Sequence, residues 1–444
     1  MPPTAVSSGS GGSGRPPRVA ILGAGPVGLE AALAAADAGM PFTVYEAGRE
    51  VAANVRAWGH VRLFTPWRMN VSPRMRRHLA AAGAALPAGH EEDECPTGRE
   101  LAERLLDRVA ALPLAAPRLR LGARVVAVGR EGLLKHEEIA SAERGRRPFL
   151  LLLAERDGRE RVEHADAVID ATGAFGQPNS LGDGGIPAPG ERELGGEIRR
   201  AIPDLARDAA DWAGRTVLLA GAGASAQTAA RGLAELARSA PGTRVIWALR
   251  RAEPSWGSPP DDPLPERARL ATAAAELAAG ASPAVTAERG VVVEAVARCA
   301  AGAADAATGA GEARRGGPDG RDSRLVVTLG RGRRGGLDGD GAWQVTVDRV
   351  LSLTGAVGDH QIYRQLQVHE CYATCGPIKL SAALLGAGAG DCLEQTSHGV
   401  EALANPEPGF YILGSKSYGR HGSFLLRVGW DQVSEVFAAL RTSG

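Results

Sequence analysis

Short apolar runs closed by glycine-rich turns alternate along this chain with Ala- and Leu-rich stretches of helical length. Arg18-Val19-Ala20-Ile21-Leu22 has no polar alternation, which predicts a strand buried on both faces. It runs into Gly23-Ala24-Gly25-Pro26-Val27-Gly28, and a helix is expected from Leu29 to about Asp37, stopped by Gly39. A second strand, Pro41-Phe42-Thr43-Val44-Tyr45, closes on Glu46. The same order recurs in the second half of the chain. Arg215–Ala220 leads into Gly221-Ala222-Gly223-Ala224-Ser225-Ala226, then a helix to about Arg238 and a turn at Pro241-Gly242. The strand Arg244–Leu249 follows and closes on Arg250-Arg251.

Each copy has a similar exit. Strands around Val125–Val128, Phe149–Leu153 and Val162 precede Ala167-Val168-Ile169-Asp170-Ala171-Thr172-Gly173. Strands around Val291–Val296, Leu325–Leu329 and Trp343–Val347 precede Val350-Leu351-Ser352-Leu353-Thr354-Gly355. The pattern predicts an α/β chain duplicated in architecture, each half a parallel nucleotide-binding sheet with a small antiparallel β insertion. The expected organisation is a flexible tail at 1–17, a first domain at 18–200, a second at 201–356, and a return to the first at 357–444. Residues 300–324 and 331–341, rich in Gly, Ala and Arg, read as mobile loops inside the second domain.

The glycine motifs carry the first candidate chemistry. In the first, which includes Pro26, Gly23 permits the tight turn, Gly25 admits a pyrophosphate to the backbone, and Gly28 lets the following helix pack on the strand. The helix N-terminus offers unpaired N–H groups to phosphate. Glu46, at the end of the second strand, suits a ribose 2′-hydroxyl. The second motif replaces the third glycine by Ala226 and puts Arg250 and Arg251 where the first has an acid. Arginine pairs bidentately with a 2′-phosphate that a carboxylate would repel, so Gly221, Gly223, Ser225, Ala226, Arg250 and Arg251 point to NADPH.

Charge and composition exclude more than they assign. With 51 basic and 51 acidic residues among 444, the chain is no globally basic nucleic-acid binder. Only Lys135, Lys379 and Lys416 are lysines, leaving 48 arginines. Five cysteines do not make a disulfide framework. The N-terminal tail lacks the apolar centre of a signal peptide, and no apolar run approaches the ~18 residues of a membrane helix. A cytoplasmic protein without membrane or nucleic-acid partners, acting on a small molecule, is expected.

On both glycine motifs, Asp170-Ala171-Thr172-Gly173, Leu353-Thr354-Gly355 and Pro408-Gly409-Phe410-Tyr411-Ile412-Leu413-Gly414, the chain resembles the two-dinucleotide-binding-domain flavoproteins. That superfamily contains the pyridine nucleotide-disulfide oxidoreductases and the flavin-dependent monooxygenases. The resemblance implies two Rossmann-like domains. FAD lies on the first, contacted by Thr172, Gly173 and Gly414, and NAD(P)H on the inserted second. A homodimer is a further expectation.

Neither a redox CxxxxC after the first motif nor a CxxC in the second domain is present. Cys95 precedes a capping box, Thr97 with Glu100, and reads as structural. Trp58–Phe64, with Arg62, and Asn70-Val71-Ser72 are similar to an aromatic loop and an Asn-x-Ser near the isoalloxazine of flavin-containing monooxygenases. By that likeness Arg62 contacts cofactor and Asn70 helps hold a flavin hydroperoxide. The FxGxxxHxxx(Y/F) fingerprint of those enzymes is missing, since Gly185–Arg199 contains no histidine. Gly414-Ser415 departs from the usual Gly-Asp. The following loop carries Lys416, Arg420 and His421, suited to stabilise reduced flavin, with His421 the general acid/base candidate. No histidine set has metal-ligand spacing, so no metal is expected.

Three readings stay open. The leading one is an FAD enzyme reduced by NADPH that oxygenates N or S of a small molecule. A second is a dithiol/disulfide oxidoreductase working through Cys371 and Cys375, and a third a noncatalytic flavin or nucleotide sensor.

Overall fold

A computed structural model describes residues 15–139, 141–259, 261–299, 324–331, 341–386 and 397–442. The tail expected at 1–17 falls outside the described residues except for its last three. The loops expected at 300–324 and 331–341 do so except at residues 324, 331 and 341. In chain order the first strands are β1 Val19–Leu22, β2 Phe42–Glu46, β3 Leu119–Leu121, β4 Ala123–Arg130, β5 Phe149–Glu155, β6 Glu160–Ala165 and β7 Ala167–Asp170. Next come β8 Ile198–Arg199, β9 Thr216–Ala220, β10 Arg244–Leu249, β11 Val285–Arg289, β12 Val291–Arg298, β13 Leu325–Arg331, β14 Trp343–Val347 and β15 Arg349–Ser352. The last is β16 Phe410–Ile412.

The chain forms two compact units, one of Met1–Gly59, Pro66–Gly176 and Val357–Gly444, the other of His60–Thr65 and Gln177–Ala356. The first boundary therefore comes before residue 200. The reason is local: β8 at Ile198–Arg199 pairs in parallel with β15, so residues 177–200 belong to the second sheet and not to the first.

Both units are three-layered. The first has a parallel sheet in the order β16-β7-β1-β2-β3, the second in the order β11-β10-β9-β15-β8. In each, the first strand of the glycine motif is central, and the strand order reverses beside it. Ligands of such sheets sit beyond the carboxyl ends at that reversal. One face of the first sheet packs on the antiparallel β4-β5-β6, where Leu22, Val168 and Phe410 meet Val128, Phe149 and Leu151. Helix α1, Pro26–Asp37, contacts β1 and β2 and also packs against the C-terminal helix Leu426–Thr442. The second sheet meets the helix Ala224–Ser239 through Leu219, Trp247, Ala230 and Leu233. Its other face packs on β12-β13-β14 through Leu218, Val293 and Val327.

The duplication extends to an irregularity. The register of β4 on β5 shifts between Val125 and Ala127, and that of β12 on β13 between Val293 and Ala295. In each case the skipped residue, Val126 or Glu294, is the fourth of its strand. A bulge bends and twists the strand that carries it, and here it recurs at the same position of the first strand of both insertions.

Candidate functional site

The first cradle lies at the carboxyl end of β1. Gly23 turns the chain at φ +96°, and a methyl there would fall 2.8 Å from Ala171 O. A methyl on Gly28 would fall 1.9 Å from Gly23 O. Both glycines are therefore required by the protein's own packing. Gly25 is different: a methyl there would meet nothing within 4 Å, so its bareness leaves space above the backbone. The first helical bond runs from Leu29 N–H to Gly25 O at 2.9 Å, and Pro26 has no N–H. The amides of Val27 and Gly28 precede that bond, where a helix leaves its donors for other partners. Open space over free amides and a positive helix end fits a pyrophosphate. Glu46 closes the side of the cradle, its carboxylate oxygens accepting from Ala24 N (2.8 Å) and Gly48 N (2.7 Å).

The late chain returns to this place. β16 adds to the sheet beside β7, and Gly414 follows at φ +75°, where a methyl would lie 3.2 Å from Val27 Cγ2. A methyl on Gly173 would lie 3.6 Å from Ser415 Oγ. Gly23, Gly25, Pro26, Gly28, Glu46, Thr172, Gly173 and Gly414 are thus gathered at one end of one sheet. Asp170, fully buried at the end of β7, accepts from Thr172 N (3.1 Å) and Thr172 Oγ1 (2.7 Å). It also holds Lys416 Nζ at 2.5 Å, while that ammonium donates to Asp359 O at 2.7 Å and to Thr172 Oγ1 at 3.2 Å. Lys416, one of the three basic residues of the loop, is therefore a buried partner of Asp170. In the same segment the Tyr418 hydroxyl is buried with no hydrogen-bond partner among the described residues, and burial pushes its pKa up to about 12.

The second cradle repeats the plan. Gly221 turns at φ +123°, and a methyl there would fall 2.2 Å from Leu353 O. A methyl on Gly223, like one on Gly25, would meet nothing within 4 Å. The first helical bond, Gln227 N–H to Gly223 O at 3.0 Å, leaves the amides of Ala224, Ser225 and Ala226 ahead of it. Ser225 is exposed and Ala226 fully buried. Gln227 Nε2 braces the loop by donating to Ala222 O (2.9 Å) and Trp256 O (3.0 Å). Arg250 and Arg251 are exposed just past β10, and neither forms an ion pair among the described residues.

Other expected residues belong to other segments of the chain. Asn70 is buried in the one-turn helix Trp67–Asn70, with its carboxamide donating to Pro66 O at 3.0 Å. Ser72 caps the helix Pro73–Ala81, accepting from Met75 N at 2.9 Å and donating to buried Glu30 at 2.5 Å. The Asn-x-Ser stretch is thus engaged in local structure, and Ser-Pro at a helix start was the signal for it. Arg62 is exposed in the segment counted with the second unit. Thr97 and Glu100 form the expected capping box.

Cys371 and Cys375 are joined by a single turn, Cys375 N–H to Cys371 O at 2.7 Å, and Cys375 has φ +60°. Hydrogen bonds from the Thr374 amide and hydroxyl pull the buried Cys371 thiol below its ordinary pKa. Arg420 Nε lies 3.3 Å from Cys375 Sγ, and Arg420 N donates to Thr374 O at 2.6 Å. His421 follows, partly exposed, with its amide on Tyr418 O at 3.0 Å. The loop that sequence assigned to cofactor is therefore seated on the cysteine turn.

Two sheets, two glycine cradles and two antiparallel insertions in one chain decide the fold. The chain has the fold of the two-dinucleotide-binding-domain flavoproteins. The chain is similar to the solved structure of bacillithiol disulfide reductase Bdr of Bacillus cereus, with a TM-score of 0.63 at 18% identity, covering 96% of this chain and 99% of that one. The ornithine N-hydroxylase of Kutzneria sp. 744, solved with reduced FAD, NADP+ and L-ornithine, gives 0.57 at 14% identity, with 96% and 98% covered. Thioredoxin reductase of T. acidophilum gives 0.54 at 14% identity, with 96% and 99% covered. No protein-family model matches the sequence, and no curated protein matches it. Among the described residues no helix is long and apolar enough to cross a membrane, and no cluster of three His, Cys, Asp or Glu could hold a metal ion.

Proposed function

We propose that this chain is an FAD-dependent oxidoreductase reduced by NADPH, with FAD on the first cradle and NADPH on the second. The observation that carries the reading is the pair of open positions, Gly25 and Gly223, each above free helix-end amides and each followed by a strand ending in opposite charge. Held on the first cradle, FAD would supply the two-electron redox chemistry. The chain's residues do the rest. The amides of Val27 and Gly28 bind pyrophosphate, and Glu46 accepts from the ribose. Arg250 and Arg251 pair with the 2′-phosphate that distinguishes NADPH. The acceptor we favour is oxygen, with N- or S-oxygenation of a small molecule, because no dithiol stands where disulfide-reducing relatives carry one.

A second reading has its own observation. The Cys371 thiol held low by Thr374, with the Arg420 guanidinium on Cys375, is an arrangement that favours thiolate chemistry. Purified protein loaded with FAD should turn yellow and bleach on anaerobic mixing with NADPH; failure to bind FAD overturns the whole proposal. Arg250→Ala should raise KM for NADPH at least about tenfold with little change for NADH. Cys371→Ser and Cys375→Ser should leave oxygen-dependent NADPH oxidation intact. Loss of turnover in both variants, with FAD still bound, would transfer the function to the dithiol reading.

A further inference from the structure

Two consecutive carbonyls of the second glycine turn are each held by a buried side chain. Trp247, fully buried on β10, donates its indole N–H to Gly221 O at 2.8 Å. Gln227, 3% exposed on the helix Ala224–Ser239, donates from Nε2 to Ala222 O at 2.9 Å. Every described peptide bond here is trans, and in a trans peptide the C=O and the next N–H point opposite ways. Holding Gly221 O and Ala222 O therefore turns the amides of Ala222 and Gly223 away from Trp247 and Gln227. Neither amide has a hydrogen-bond partner among the described residues.

The same Nε2 has a second acceptor. It donates to Trp256 O at 3.0 Å, and the Trp256 ring centroid lies 5.5 Å from that of Trp247. Two carbonyl neighbours identify the nitrogen end of the carboxamide, since its oxygen could bond neither. Two carbonyls cannot bond each other, and one NH2 group carries both protons needed to join them. The first cradle needs no such bridge, because Ala24 O takes the backbone amide of Ala52 directly, at 3.0 Å. What Gln227 joins is the glycine turn and the far end of the excursion that starts after β10. Arg250 and Arg251 lie on that excursion, exposed, as are Ala252, Glu253 and Ser255. It is tied down by β10 at one end and by Trp256 at the other.

We infer that Gln227 is a positioning residue that sets the preference for NADPH, a role that rests on the reading of the second cradle as the NADPH site. It fixes the span between the turn that takes the pyrophosphate and the arginines that take the 2′-phosphate. It acts through two other groups. Through Ala222 O it aims the Gly223 amide, which any dinucleotide uses. Through Trp256 O it closes the excursion that carries Arg250 and Arg251, which only a 2′-phosphate uses. Removing both protons therefore weakens NADP+ more than NAD+.

The test is calorimetric titration of the full-length, FAD-loaded protein with NADP+ and with NAD+. Gln227→Met keeps the length of the side chain and removes both protons. It should raise Kd for NADP+ about tenfold and for NAD+ by less than about threefold. With Arg250→Ala and Arg251→Ala already in place, the same change should raise Kd for NADP+ by less than about threefold, because the groups it positions are gone. Gln227→Glu turns an ionised oxygen toward two carbonyls. Its deficit relative to wild type should shrink at about pH 5.5, where protonation restores one donor, and a merely structural lesion would not titrate. Equal losses for both nucleotides, losses that multiply with those of the arginine pair, or unchanged affinities overturn the assignment. If wild-type protein binds no NADP+, the NADPH reading itself falls; if it binds and the variants bind equally well, only the role of Gln227 falls.

Discussion

The two glycine cradles stand on one frame and differ in what the frame tolerates. In both, the opening glycine is pressed by the strand that returns beside it, Gly23 by Ala171 O and Gly221 by Leu353 O. In both, the middle glycine faces open space. At the third position the first cradle has no room, since the Gly23 carbonyl occupies the place of a side chain. The second turns at φ +123° where the first turns at +96°, and accommodates the buried methyl of Ala226. The second strands then end in opposite charge. Glu46 is held by two backbone amides, whereas Arg250 and Arg251 reach into solvent. One backbone plan thus ends in opposite charge in its two copies, at the strand's last residue Glu46 in the first and just past the strand at Arg250 and Arg251 in the second.

The comparison can be broken most severely away from the glycines. The first unit is assembled from separated pieces, and Glu407 fastens its last piece. Its buried carboxylate takes Arg130 Nε at 2.6 Å, Arg144 Nη2 at 2.8 Å and Gln367 N at 2.8 Å. The second unit's main body, Gln177–Ala356, is one continuous stretch of chain. Glu407→Gln leaves two buried guanidinium groups without their counter-charge and should cost about 3–5 kcal/mol. Denaturant titration should show the loss in the first unit's transition only; an equal shift in both would deny their independence.

Next in size is Gly28→Ala, which drives a methyl into the Gly23 carbonyl and should destabilise the first unit by about 3 kcal/mol with loss of FAD retention. The mirror change, Ala226→Gly, should cost only about 0.5–1 kcal/mol, the helix-propensity difference. Comparable melting losses for the pair would mean that the third position is equivalent in both cradles.

The smallest effect concerns acid. In the second unit, burial pushes the Asp262 carboxyl up. Hydrogen bonds from Arg267, Ser258 and Leu264 N outweigh it and bring the pKa to about 2. A folded value below the unfolded one means stability that is present above about pH 4 and lost as pH falls toward 2. Melting of the second unit should decline across that window, and Asp262→Asn should flatten the decline while costing about 1.5 kcal/mol at neutral pH.

Much of this was legible in the sequence, for a physical reason. Parallel strands buried on both faces are written as unbroken apolar runs, and tight βα turns demand glycine, so both sheets and both cradles announced themselves. Phe410–Leu413 is another such run, and β16 takes its place beside β7. Side-chain pairs distant in sequence were not legible. Lys416 and Asp170 are 246 residues apart, and Arg130 and Glu407 are 277 apart, with no periodicity to couple them. Local signals were legible too: Ser72 before Pro73 spells a helix start, and it caps Pro73–Ala81. The first domain's end was placed too late because β8 has two residues, too few to make a pattern.

The interrupted first unit also sets a timetable for synthesis. β7 is complete long before β16 exists, and β16 is the strand that covers its outer edge. As the chain leaves the ribosome, the whole of Gln177–Ala356 emerges in between. The later-encoded unit can therefore finish folding first, while the earlier one waits with an unpaired strand edge that invites mispairing. Slow translation between residues 176 and 410 lengthens that wait, so codon choice in the middle of the message bears on how much of the N-terminal unit survives.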